Sequence, residues 1–289
     1  GADRRVAADP SGGARPHGTQ RGPTMDRVST SSNTPPVLLA CAHGTRDPGG
    51  QQAVAALVAA VRERLPGVRV VDTWVDVQEP DLVARTAEHA GQRAVVVPLL
   101  LSAGYHVFVD MARAVQFSPH HRVAAALGPD HRLARVLARR LAEALDAAGE
   151  AAPEPVDEIV MVSAGSSDPR AGQDCERVAA LLSEVLGHPV SSAYLSAARP
   201  SLPDALAAAR GRANPRDDAA GSPRTDAAPA RPGRVLLVPY LLAPGFFHGR
   251  ALAAGADVTA QPLLVHPGEV PPELVELVVE HYRETASEA

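Results

Sequence analysis

Apolar positions along the chain fall into two alternating kinds of text. Short runs dense in Val, Leu and Ala at 37–42 (VLLACA), 68–76 (VRVVDTWVD), 94–100 (AVVVPLL) and 122–127 (RVAAAL) have the length of strands. Ala-rich stretches of helical spacing separate them. In the first of these, Val54, Leu57, Val58, Val61 and Leu65 recur at offsets of three and four, a single apolar face suited to packing on a sheet. Strand and helix text in strict alternation predicts βαβ units and parallel pairing, so the chain reads as an α/β protein.

The pattern then repeats. AHGTRDPGG at 42–50, TWVDVQEPDL at 73–82 and VPLLLSAGYHVF at 97–108 return in the same order as SAGSSDPRA at 163–171, AYLSAARPSL at 193–202 and VPYLLAPGFFHG at 238–249. The offsets are 121, 120 and 141, and the surplus in the third is about the length of a Pro-, Gly- and charge-rich tract, Gly211–Gly233. An internal duplication accounts for this: two similar lobes, each a parallel β-sheet flanked by helices. Lobe boundaries fall at 35–150 and 156–285, with 211–233 predicted as a disordered insertion. Residues 1–34 lack periodicity and an apolar segment, and are predicted as a disordered extension, with Met25 a plausible start of the natural chain.

Composition narrows the classes. Basic residues number 28 and acidic 33, a formal charge of −5, and the aromatics are 4 Phe, 4 Tyr and 1 Trp, which argues against a nucleic-acid surface. The longest apolar runs are far shorter than the roughly 18–20 residues that span a bilayer, so no membrane partner is expected. Two cysteines, Cys41 and Cys175, cannot supply a disulfide framework or a four-thiolate site, which suits a cytoplasmic protein. No GxxxxGK[ST] phosphate loop is present, and neither a nucleotide nor an organic cofactor is expected.

Superposing the two repeats separates scaffold from chemistry. Gly44, Asp47, Pro48, Pro80, Pro98 and Gly104 match Gly165, Asp168, Pro169, Pro200, Pro239 and Gly245, turn residues that the fold alone explains. In contrast, His43 faces Ala164, Asp76 faces Ser196 and His106 faces Phe247. All three metal-competent groups belong to the first repeat, each at the carboxyl end of a predicted parallel strand, where open α/β sheets form their ligand crevice. Two imidazoles and a carboxylate suit a borderline divalent metal or a proton relay. Glu79, three residues on, competes with Asp76 as the acid, and position alone does not choose between them; strand alternation would put the two on opposite faces if the strand continued. His248 is one residue out of register with His106 and is read as a bystander. His120 and His121 are read as a solvated loop and Cys41 as a small core residue.

HGTRDPGG, WVDVQEPDL and, most specifically, PLLLSAGYHVFVD resemble the class II tetrapyrrole chelatases, and within them the sirohydrochlorin chelatase family in its long, duplicated form. The resemblance implies ATP-independent insertion of a divalent metal into sirohydrochlorin, for sirohaem or cobalamin synthesis, with Fe2+ preferred to Co2+ because no His-rich storage tract is present. It implies that His43 and His106 hold the metal, that Asp76 stands where many members place a glutamate, and that the second repeat is a degenerate lobe. Arg46, Ser102, Gly104 and Tyr105 are the expected contacts to the anionic tetrapyrrole, with Arg113 and Arg250 as further counter-charges. Fusion of two lobes implies a monomer. A non-catalytic metal or tetrapyrrole carrier is the alternative. A histidine phosphatase, which also uses a His-Gly turn, fits less well because Ala42 stands where that family has arginine.

Overall fold

The computed structural model describes residues 34–104, 106–215 and 231–288, without the side chains of residues 106–108. Most of the predicted extension, with Met25, and the bulk of the predicted insertion lie outside the described residues, as does Tyr105. Of the 211–233 tract, residues up to Ala213 continue a helix, and Arg231 is held by an ion pair described below.

Each repeat builds one four-stranded parallel sheet. The first contains β1 (Val37–Ala42), β2 (Val70–Trp74), β3 (Ala94–Pro98) and β4 (His121–Val123) in the order β2-β1-β3-β4. The second contains β5 (Glu158–Ser163), β6 (Val190–Tyr194), β7 (Val235–Tyr240) and β8 (Val258–Thr259) in the equivalent order β6-β5-β7-β8. Three strands are shorter than the apolar text suggests, because apolar residues continue into the buried turns that leave the sheet. Leu99 still donates its N–H to Cys41, but beyond it the chain peels away, and β4 is only three residues long. His121, read as solvated, is buried in β4, with Nε2 against the His89 carbonyl at 3.0 Å.

Helices α1 (Pro48–Arg64) and α5 (Pro169–Leu186) follow the first strand of each sheet. Each opens on an aspartate N-cap and a proline: Asp47 accepts from the Gly50 N–H and Asp168 from that of Arg170, satisfying donors that the first turn leaves open. α2 (Leu82–Glu88) and α3 (Ala112–Val115) cover the outer face of the first sheet, and α6 (Leu202–Ala213) and α7 (Phe246–Leu252) that of the second. Among the described residues, α4 (His131–Ala148) and α8 (Pro272–Ser287) complete the helices. A π-helical turn, His106–Met111, leads into α3.

Strand alternation assigns the two faces. Leu38, Ala40 and Ala42 of β1 point to a central core, whereas Val37, Leu39 and Cys41 point to the outer helices. Ile159 and Met161 of β5 enter the same central core, which also takes residues from α1, α4, α5 and α8. The last helix of each repeat crosses over: α4 packs on α5, β7 and β8, and α8 packs on α1, β3 and β4. Tyr282 of α8 closes the exchange with a 2.6 Å hydrogen bond to the Pro36 carbonyl, immediately before β1. This central layer places the carboxyl ends of the two sheets beside each other. Among the described residues, no helix is long and apolar enough to cross a membrane.

Candidate active site

β1 lies between β2 and β3, so the three turns that leave their carboxyl ends are neighbours. His43 is the first residue of the β1 turn, and its side chain is exposed. The turn is tied to the one after β2: Val75 donates to Ala42 at 2.9 Å and Asp76 to the His43 carbonyl at 3.0 Å. Gly44 makes this approach possible, since it has φ +100° and a Cβ there would sit 2.0 Å from the Asp76 carbonyl oxygen. The Thr45 N–H is taken by Gln78 Oε1 at 2.9 Å, and Thr45 Oγ1 accepts from the Asp47 N–H at 3.1 Å.

Asp76 is exposed and accepts, through Oδ1, the N–H of Val77 at 2.7 Å. Val77 has φ +70°, an uncommon conformation for a β-branched residue. Its counterpart Ala197 has φ +55°, so the strained turn belongs to the duplicated scaffold and not to the chemistry. β2 ends at Trp74, so strand alternation does not decide between Asp76 and Glu79. Glu79 is exposed and accepts the Asp81 N–H at 3.0 Å, next to the N-cap of α2.

The β3 turn brings Ser102 and Gly104, both half-buried, to the same edge. Tyr105 and the side chain of His106 lie outside the described residues, although the backbone places His106 at the start of the π-helical turn. No group of three His, Cys, Asp or Glu side chains gathers within metal-binding reach among the described residues. Arg46 and Arg113 are exposed, and Arg250 donates to the Leu195 carbonyl at 2.8 Å. Burial pushes the Cys41 thiol up to about 12, so it is a core residue and no source of thiolate.

The second lobe keeps the scaffold without these groups. Gly165 has φ +91° beside Ser196, and Ser166 takes the place of Thr45 in accepting the Asp168 N–H. The two lobes meet at these turns: Gly245 comes within 3.4 Å of Thr45 Oγ1, measured from the position of an added Cβ, and Gly50 faces the Pro244 carbonyl.

His248, on α7, is buried, and its Nε2 has no hydrogen-bond partner among the described residues. Burial lowers its pKa, opposed by a hydrogen bond to the Ala260 backbone and by the Asp47 carboxylate. The unfolded chain therefore takes up a proton near pH 6.5 that the folded chain resists. Stability from this residue is complete above that pH and is lost as pH falls through it. The decline in Tm between pH 7 and pH 5 is expected to be shallower for His248→Gln than for the wild type; parallel declines would remove His248 as a source of acid sensitivity.

The CbiX family model matches residues 37–144 and again residues 158–285. The chain belongs to the CbiX family. Both lobes of this CbiX-family protein are covered, which agrees with the duplication read from the repeat. Among solved structures, SirB from Bacillus subtilis with Fe3+ is similar at 21% identity and TM-score 0.62, over 88% of this chain and 96% of that one. The sirohydrochlorin chelatase SirB from Bacillus subtilis subspecies spizizenii in complex with cobalt is similar at 19% identity and TM-score 0.63, over the same shares of 88% and 96%. CbiX, the terminal enzyme for siroheme biosynthesis in denitrifying bacteria, matches at 19% identity and TM-score 0.56, over 84% of this chain and 97% of that chain. At these identities the likeness establishes the fold of the CbiX-family chain. A search of curated protein sequences finds no match.

Proposed function

We propose that this protein inserts a divalent metal, Fe2+ or Co2+, into sirohydrochlorin without ATP. The observation that carries the reading is the asymmetry within a CbiX-family duplication: the scaffold turns occur twice, whereas His43, Asp76 and His106 occur once, on three adjacent strand ends. A structural histidine has no reason to be confined to one of two equivalent turns. A site that one lobe performs for both has such a reason. The relatives support this choice of substrate, and those solved with Fe3+ and with cobalt support either metal.

Insertion requires that two pyrrole protons leave as M2+ enters the ring. In this reading His43 and His106 hold the incoming ion through neutral imidazole nitrogens and release it to the ring, and the basic groups of the site take the two protons. Asp76, on the turn hydrogen-bonded to that of His43, supplies negative charge beside the ion and a route for protons to solvent. The macrocycle's carboxylates meet Arg46 and the Ser102–Tyr105 turn. Both lobes lie in one chain, and the working unit is proposed to be a monomer.

The test is direct. Purified protein is incubated with sirohydrochlorin and Fe2+ or Co2+ under anaerobic conditions, and the visible spectrum is followed against a protein-free control. Accelerated loss of the metal-free spectrum with one turnover or more per chain is expected. Binding of the tetrapyrrole without acceleration would show a carrier instead.

A further inference from the structure

The second lobe has lost the three metal-competent groups, yet it holds the loop that leads into His106. Two hydrogen bonds cross to that loop. Asp174 of α5, a buried residue, accepts the Ala103 N–H through Oδ2 at 3.0 Å, and the Tyr240 hydroxyl donates to the Leu101 carbonyl at 2.7 Å. Gly128 leaves the space for the second bond, since a Cβ there would lie 2.2 Å from the Tyr240 oxygen and 2.4 Å from the Leu101 oxygen. A cavity of about 470 Å3, lined by Ala103, Ala112, Val123, Ala126, Pro129 and Asp174 among others, opens beside residue 103; Leu101 still packs against the central core, so the polar anchors matter most for the stretch that follows it.

The repeat shows that these anchors are not part of the duplicated scaffold. Asp174 stands at the position of Ala53, and Tyr240 at that of Leu99. The residue equivalent to Ala103 is Pro244, which has no N–H to give. The carbonyl of Leu242, equivalent to that of Leu101, is satisfied within its own lobe by the Leu264 N–H at 2.8 Å. Among the described residues, side-chain anchoring therefore runs one way: the lobe without the histidines grips the loop of the lobe that has them, and no such bond to its own loop is found.

We infer that Asp174 and Tyr240 are positioning residues that clamp the 99–104 loop and so set where His106 meets the metal. The inference rests on the proposed two-histidine site. It gives the degenerate lobe a task beyond walling a cleft, because a ligand displaced by about 1 Å loses much of its effect on the reacting centre.

The test uses the full chain and three readouts: Co2+ affinity, kcat and KM for metal insertion, and hydrogen exchange of the peptide covering residues 99–104. Asp174→Ala is expected to speed exchange in that peptide, to weaken Co2+ binding and lower kcat about tenfold each, and to change KM for the tetrapyrrole less than about twofold. Asp174→Asn keeps an oxygen acceptor and is expected to recover Co2+ affinity to within about threefold of the wild type. Tyr240→Phe removes one anchor with little change of shape and serves should Asp174→Ala fail to fold. Leu206→Ala, in the outer core of the second lobe, controls for lost stability and is expected to lower Tm without changing Co2+ affinity. If Asp174→Ala and Tyr240→Phe bind Co2+ and turn over like the wild type while His106→Ala does neither, the clamp is overturned and the site stands. If His106→Ala itself binds and turns over normally, the site falls and the clamp with it.

Discussion

His43→Ala and His106→Ala are each expected to lower turnover by roughly 10²- to 10⁴-fold, the range for removing a positioned proton-transfer group, while the fold persists. The physical ground is that each imidazole is one of only two nitrogen donors in the proposed site. His43 is exposed on a turn that backbone bonds and Gly44 hold, and these remain in His43→Ala. His120, also exposed, controls for the mere loss of an imidazole, and His120→Ala is expected to behave like the wild type. Asp76 needs a gentler change. Its carboxylate also caps the N–H of the strained Val77, so alanine would disturb the turn as well as the charge. Asp76→Asn retains an acceptor, and its expected result is a loss of about tenfold in kcat with Tm unchanged, against little effect from Glu79→Gln. Full activity in both histidine variants would end the two-histidine reading.

The largest effect on stability is expected far from that site. Asp157 precedes β5, and its side chain is 0% exposed. It accepts from Arg231 at 2.8 Å through both carboxylate oxygens, from the Arg234 guanidinium at 2.7 Å, and from the backbone N–H groups of Glu154 and Arg234 at 2.9 and 2.8 Å. Burial opposes its ionised form, but these donors prevail and hold the carboxyl far below the usual carboxylate range. Arg234 precedes β7, and the Glu158 N–H donates to its carbonyl, so the carboxylate ties together the amino ends of two neighbouring strands. Asp157→Ala leaves the buried Arg234 guanidinium without its main partner. Breaking a buried pair in this way costs about 3–5 kcal/mol, a fall in Tm on the order of 10 °C for a unit of this size. The pH sign follows from the lowered pKa: the contribution is complete above the unfolded aspartate value of about 3.9 and is lost as pH falls below it. A Tm within about 2 °C of the wild type would show that the arginines find other partners without cost.

Several features were legible in the residues because local physics determines them. The stripe from Val54 to Leu65 is the buried face of α1, and the Asp-Pro pairs at 47–48 and 168–169 start their helices as an N-cap and an N1 proline. Gly44 and Gly165 match because each turn needs positive φ and brings the backbone against the next turn. Strand ends were less legible. In 94–100 the apolar text runs past Pro98 because the departing turn is itself partly buried, and in 68–76 the strand gives way after Trp74 to the turn with positive φ at Val77.

The anchors Asp174 and Tyr240 carried a faint signal, since the repeat puts alanine and leucine at the equivalent positions. Their partners, however, are backbone groups of the opposite lobe, which no spacing reveals. The same holds for the exchange of α4 and α8: an apolar stripe such as Leu133, Leu137, Leu141 and Leu145 states that a helix has a face to bury, and is silent on which sheet receives it. By itself, the chain determined its elements, its duplication and the confinement of His43, Asp76 and His106 to one repeat, because periodicity, capping and turn conformation act over a few residues. Which lobe's helices and side chains support which site was decided only in three dimensions, because those contacts join residues more than seventy positions apart.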